Sequence, residues 1–178
     1  MTARAEAAER TRRRILAAAT ELAAERFLEE ISLEDIAGRA GVAVRTVIRR
    51  FGNRATLIEA AIDEANAQVS GRRDETPAGD TADAVDALFD DYERWGDPLL
   101  MVLAQEQRHP ALKPLLDGGR EMHRRWVERV FSPRDELHAA QLVAITDVYV
   151  WKLMRRDMKL SRPLAERALR DMIERLVE

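Results

Sequence analysis

The 178-residue chain has no cysteine. Disulfides, thiolate metal sites and cysteine nucleophiles are therefore excluded. A small secreted fold usually needs such staples, so a reducing cytoplasm is the expected compartment. The opening residues Met1-Thr2-Ala3-Arg4-Ala5-Glu6 lack the apolar core of a signal peptide. Long hydrophobic runs are missing too. The most apolar stretch, Leu142 to Met154, is interrupted by Asp147 and ends among Lys152, Arg155 and Arg156. It is too short and too polar to span a bilayer, and membrane residence is not expected.

Histidine is scarce: His109, His123 and His138 stand apart, without HExxH or another ligand spacing. There is no glycine-rich phosphate loop and no nucleophile elbow. Asp83, Asp86, Asp90 and Asp91 recur at helical spacing, a pattern that reads as a solvated face. An enzyme is therefore not the expected class. No catalytic residue, metal ligand or cofactor is assigned.

Hydrophobic residues make up 46% of the chain, enough for one substantial core or two small ones. The net charge of -3 is unevenly placed. Residues 1–55 hold 11 Arg and no Lys against 8 acids, a local charge of +3. Residues 56–178 hold 18 basic and 24 acidic residues, a charge of -6. A basic head on an acidic body suits a protein that presents one end to phosphates.

No segment reads as a strand ladder, whereas helical periodicity recurs throughout. Ile15, Leu16, Ala19, Leu22 and Ala23 stripe a first helix, about Glu9 to Arg26. Ser32 precedes Leu33-Glu34-Asp35-Ile36-Ala37, close to a capping box with Asp at the third position. That short helix stops at Gly41, and a third runs from about Val44 to Phe51. Asn53 can cap a fourth. Gly71 to Asp80 reads as a loop. Helices are then predicted from Thr81 to Trp95 and from Pro98 to Gln107. A further one, Ala111 to Phe131, has a potential break at Gly118-Gly119. The last two run from about Arg134 to Asp157 and from Ser161-Arg162-Pro163 to Val177. The expected fold is all-α, about nine helices. A helix-turn-helix headpiece over residues 1–55 is followed by a helical body over residues 56–178.

The stretch from Ser32 to Phe51 carries the strongest signal. Two short helices joined by a glycine turn form a helix-turn-helix. Ile36, Ala37 and Ala40 bury the first helix, Val42 fills the angle, and Val47 and Phe51 lock the second. Val44, Arg45, Thr46, Ile48, Arg49 and Arg50 remain for the exposed face. Arginine suits guanine edges or phosphates, and an aliphatic side chain can touch a thymine methyl.

These residues resemble the TetR family of regulators. The match runs through Arg14-Ile15-Leu16-Ala17-Ala18-Ala19, Ser32-Leu33-Glu34-Asp35-Ile36-Ala37, Ala40-Gly41-Val42-Ala43-Val44-Arg45-Thr46-Val47-Ile48-Arg49-Arg50-Phe51 and Arg54-Ala55-Thr56-Leu57. It covers about residues 10 to 62 in detail. The resemblance implies a bacterial homodimer with a ligand-sensing domain behind each headpiece, and a repressor is expected. It implies that the helix from Val44 to Phe51 enters the major groove of an operator. Thr11, Arg12 and Arg54 would lie by the backbone, and the helix start at Ser32 would offer amides to a phosphate. The chain departs from the family where Ile48 replaces a usual Tyr and Arg50 a usual His. Ala43 replaces a usual Ser, Arg54 a commoner Lys and Phe27 a usual Gly. Ile48 cannot make the phosphate contact that the tyrosine makes.

In the body, Leu164, Ala165, Ala168, Leu169, Met172, Ile173 and Leu176 form a seam, and the helix before it is apolar nearly all round. One apolar face packs inside a subunit and a second needs another partner, so a four-helix dimer interface is expected. Val143, Asp147, Val150, Leu169, Met172, Ile173 and Leu176 are its candidates. Asp147 is the anomaly in this run. Candidates for an effector pocket are Tyr92, Trp95, Met101, Gln105, Met122, His123, Trp126, Tyr149 and Trp151. Taken one at a time, each is more readily an ordinary core residue. No effector is named by the sequence. The competing expectation is a helical adaptor that has lost DNA binding, and Ile48 is its one motive.

Overall fold

A computed structural model describes residues 3–177. Met1, Thr2 and Glu178 lie outside them, and with them the ends of the two expected domains. Among the described residues the elements are helical, with no strand. They are α1 (Ala3–Glu25), α2 (Leu33–Ala40), α3 (Val44–Phe51), α4 (Arg54–Asp74), α5 (Thr81–Leu103), α6 (Lys113–Phe131), α7 (Glu136–Ile145), α8 (Val148–Lys152) and α9 (Arg162–Val177). Short 3₁₀ turns precede α2 and α6, and a π turn, Leu153–Asp157, continues α8.

The chain forms two compact units that do not follow chain order. Among the described residues, one comprises 3–66 and 101–115; the other comprises 67–100 and 116–177. In the first unit, Ile15, Leu16, Leu22, Ile36, Val47 and Leu57 are buried from α1, α2, α3 and α4. Residues 101–115 add a strut. The buried Gln105 accepts a hydrogen bond at Oε1 from the Leu28 amide (2.7 Å) and donates from Nε2 to the Met101 carbonyl (2.6 Å). Both ends of the amide are satisfied, which is what makes a buried glutamine tolerable.

In the second unit, α9 packs against α7, and its Ala165, Leu169 and Ile173, which recur every fourth residue, are buried. Four sequence expectations change here. The loop expected from Gly71 begins later, because α4 continues to Asp74. The reason is Arg73, buried to 3% exposure and tied to Asp91 on α5. The helices expected on either side of Pro98 are one helix, with the proline inside it. Two residues earlier, Gly96 lies against the buried Trp151 ring; a Cβ there would stand 2.5 Å from Cζ3. The Gly118-Gly119 pair does not break α6.

The fourth change is at Asp147. The single long helix expected from Arg134 to Asp157 is interrupted at Thr146-Asp147. Asp147 is the N-cap of α8, its carboxylate accepting the Tyr149 amide at 2.9 Å. A carboxylate that looked misplaced inside an apolar helix is thus the signal of a helix start.

Gly96→Ala should destabilise the fold by about 1–3 kcal/mol, because a rigid indole cannot yield as a flexible side chain would. A urea-unfolding midpoint unchanged from wild type would refute this.

Candidate nucleic-acid interface

The helix-turn-helix is built by local chemistry. Ser32 Oγ accepts the Asp35 amide at 3.0 Å, and Asp35 Oδ2 accepts the Ser32 amide at 2.9 Å, closing a capping box on α2. These hydrogen bonds hold the Asp35 carboxyl below its usual range. The box consumes the amides of Ser32 and Asp35 and places Glu34 and Asp35 in the first turn. Acids there already complement the helix dipole and oppose a phosphate, so Ser32 is placed as a cap. Ser32→Ala should cost about 1 kcal/mol of stability, read as a lower thermal midpoint.

Gly41 ends α2 at φ +63°, a left-handed conformation that strains any other residue. Its carbonyl and that of Ala40 accept hydrogen bonds from Arg14 Nη2 on α1, which pins the turn. Val42 follows with its amide on the Ala37 carbonyl at 2.9 Å. Ala43 caps α3 through its backbone, without a side-chain hydrogen bond. Val47 is fully buried and anchors α3, while Phe51 is half-buried.

This anchoring decides what α3 presents. Arg45, Ile48 and Arg49 are exposed. Val44, Thr46 and Arg50 are half-buried, and Arg50 Nε is enclosed without a hydrogen-bond partner. No hydrogen bond or ion pair engages Arg45 or Arg49 among the described residues, so their guanidinium groups are available to a ligand. Much of the remaining headpiece charge is spent internally. Arg12 pairs with Glu64 at 2.9 Å, Arg13 with Glu9 at 3.1 Å, and Arg39 with Glu25 at 2.9 Å. Arg26 lies 3.7 Å from Asp35. Arg54 turns its guanidinium onto the carbonyls of Ile31 (2.7 Å) and Leu28, where it fastens the 3₁₀ turn before α2. Thr11 bonds back to the Ala7 carbonyl on its own helix at 2.9 Å. Of the ten residues expected at the interface, the structure gathers Arg45, Ile48 and Arg49 on one open face. It commits Arg12, Ser32 and Arg54 to contacts within the first unit.

The pocket candidates are divided between the two units. Met101 and Gln105 belong to the first unit, and the other seven to the second. Tyr149 is exposed, and Trp95 and Met122 are half-buried. Tyr92, His123 and Trp126 meet in a buried polar network that the sequence reading did not assemble. Arg73 Nε donates to Asp91 Oδ2 (2.9 Å) and Arg73 Nη1 contacts His123 Nδ1 (2.8 Å). The other ring nitrogen faces Thr146 Oγ1 at 3.0 Å, and that hydroxyl donates to the Leu142 carbonyl at 2.7 Å. The Tyr92 hydroxyl donates to the Thr146 carbonyl at 3.0 Å, near the α7–α8 break. The Arg73 guanidinium also lies over the rings of Tyr92 and Trp126. Since Arg73 can only donate, His123 accepts at Nδ1 and carries its proton at Nε2. The signal that could have located this network is the acidic run on α5. Asp90 pairs with Arg72 and Arg162, and the buried Asp91 with Arg73, whereas Asp83 and Asp86 are exposed, as expected of a solvated face.

Burial, reinforced by Arg73, pushes the His123 pKa down to about 3. The unfolded chain takes up this proton near pH 6.5 and the folded one resists it. Its stabilising contribution is therefore complete above about pH 6.5 and is lost as pH falls toward 3, by about 1.4 kcal/mol per unit. Unfolding at pH 7 and pH 5 should show a steeper loss for wild type than for His123→Gln; equal losses would exclude His123 as the source.

The dimer candidates divide in the same way. Leu169 and Ile173 are enclosed within their own unit, at 1% and 0% exposure, and Asp147 is a helix cap. Met172 is exposed, and Val143, Val150 and Leu176 are half-buried. Leu137, Tyr149, Leu153, Met158 and Leu164 are exposed apolar groups of the same unit, and of these the helical seam in the sequence includes Leu164 alone.

Among the described residues no helix is long and apolar enough to cross a membrane, and no cluster of His, Asp and Glu could hold a metal. Residues 15–61 match the family described as bacterial regulatory proteins, tetR family. No curated protein matches the sequence. Solved structures do match nearly its whole length. A transcriptional regulator from Rhodococcus sp. Rha1 is 22% identical over 93% of this chain and 95% of its own, with a TM-score of 0.74. A tetR-family transcriptional regulator from Streptomyces coelicolor is 18% identical over 94% and 80%, with a TM-score of 0.75. GusR of Salmonella enterica is 20% identical over 94% and 95%, with a TM-score of 0.74. Residues 15–61 thus resemble the helix-turn-helix region of tetR-family regulatory proteins, and the chain shares the all-helical fold of these solved regulators.

Proposed function

We propose that the protein is a homodimeric, ligand-responsive repressor that binds a pseudo-palindromic operator. The observation that carries this reading is the α3 face, where Arg45 and Arg49 stand exposed and unpaired on a helix fixed by Val47. Two such helices read two half-sites when they sit about 34–36 Å apart, one turn of DNA. The exposed apolar groups Leu137, Tyr149, Leu153, Leu164 and Met172 support a second copy as their cover, since apolar surface of this extent is usually covered. Glutamate at both Leu164 and Met172 should give a monomer in sedimentation, and an unchanged mass would remove this surface from the interface.

In this reading residues 1–55 hold the DNA-binding machinery, and residues 56–178 hold dimerisation and ligand sensing. The buried donors Trp126 Nε1 and Thr76 Oγ1, which lack hydrogen-bond partners, support an effector with acceptor groups. An effector relieves repression only if it binds the free and DNA-bound arrangements with different affinity. Mapping the DNA bound across the genome tests the whole reading. It yields the operator, whose half-sites must be inversely related, and neighbouring genes that point to the effector. A purified protein with no salt-dependent affinity for any recovered duplex would favour a helical adaptor instead.

A further inference from the structure

Ile48 is 48% exposed on α3, the helix whose other exposed side chains are Arg45 and Arg49. It is not needed to hold the helix, because Val47 is the fully buried anchor. The face therefore consists of two parallel rows. Val44 and Ile48, four residues apart, form an apolar row; Arg45 and Arg49 form a cationic row beside it. An isoleucine cannot donate to a phosphate, so this position does not serve backbone positioning. Its branched side chain has one strongly preferred rotamer in a helix, so the methyl groups are held in place before DNA arrives. The apolar group that a major-groove edge offers is the thymine C5-methyl.

We infer that Ile48 is a specificity-determining residue that reads a thymine methyl in each half-site. The inference rests on α3 being the recognition helix of the proposed function. It also fixes where the thymine lies. Arg45 and Ile48 are three residues apart, so their Cβ atoms are about 5–6 Å from each other. At about 3.4 Å per base-pair step, the thymine lies one or two steps from the base pair that Arg45 contacts.

The test uses the full-length protein and duplexes that it selects from a randomised pool. Each thymine of the selected site is replaced in turn by deoxyuridine, which removes the methyl and leaves every hydrogen-bonding group. For wild type, one position per half-site should weaken binding about fourfold, and both half-sites together more than tenfold, the worth of one buried methyl group. Ile48→Ala should bind the thymine and uracil duplexes equally, with an unchanged salt slope. A uracil penalty that persists in Ile48→Ala, no penalty at any position, or a selected core without thymine would each overturn the inference while leaving DNA binding established. Failure to select any duplex would overturn the proposed function itself, and this inference with it.

Discussion

Replacing Arg45 and Arg49 together by alanine should lower affinity for the operator at least a hundredfold and leave helical content unchanged. Both side chains are exposed on α3 and neither is engaged within the protein, so their loss leaves no buried group unpaired. Each specific contact of this kind is worth about 1–3 kcal/mol, and a dimer loses four of them. The salt dependence should change as well. Each phosphate contact contributes about 0.9 to the slope of log K against log salt, so four such contacts would make the slope shallower by about 3–4. Base contacts would lower affinity with a smaller change in slope. Arg39→Ala is the informative comparison. Arg39 carries the same charge but holds Glu21 and Glu25, whose proximity raises its pKa further. Its removal should leave the slope nearly unaltered. Gel shift or fluorescence anisotropy across a salt series reads both effects. An equal loss of slope in the two variants would contradict the division between free and committed arginines.

Asp91→Ala should destabilise the second unit by about 3–5 kcal/mol, the largest stability effect expected for one substitution here. The reason is the partner left behind. Arg73 is buried, and without Asp91 it keeps a full charge in a medium that solvates it poorly. Burial pushes the Asp91 carboxyl up and Arg73 opposes that shift, so the pair is held by its geometry against a desolvation cost. Removing both charges should be far milder. An Arg73→Met, Asp91→Leu double variant is expected to recover most of the lost stability, because apolar residues of similar volume replace a buried pair at little net cost. It also relieves His123 of its cationic neighbour and should raise the pH at which that ring titrates. Urea unfolding of the two single variants and the double variant gives the coupling directly. Additive losses would mean that the two residues do not act as a pair.

These two predictions differ in how far the sequence alone could reach. The helix-turn-helix was legible because its determinants are local. Ser32 and Asp35 are three residues apart, Gly41 supplies its own turn, and Val47 and Phe51 recur at helical spacing. Interactions within one helical turn depend on the chain near them and not on what packs above it. The same holds for Asn53, which caps α4 by accepting the Thr56 amide.

The fate of each arginine was not legible, because it is settled by partners far away in the chain. Arg14 reaches residues 26 positions on, Arg12 reaches one 52 positions on, and Arg73 meets His123 across 50. Composition counts such side chains as a single pool of charge, and only packing divides them into staples and contacts. The same limit governs α9. Its stripe announced an apolar helix, but the docking on α7 decided that Leu169 and Ile173 face inward while Leu164 and Met172 remain outside. The sequence by itself determined a helical chain with a helix-turn-helix from Ser32 to Phe51. Tertiary structure decided which charges of that motif are left open to a ligand, because a guanidinium is free only where no carbonyl or carboxylate of the fold has reached it first.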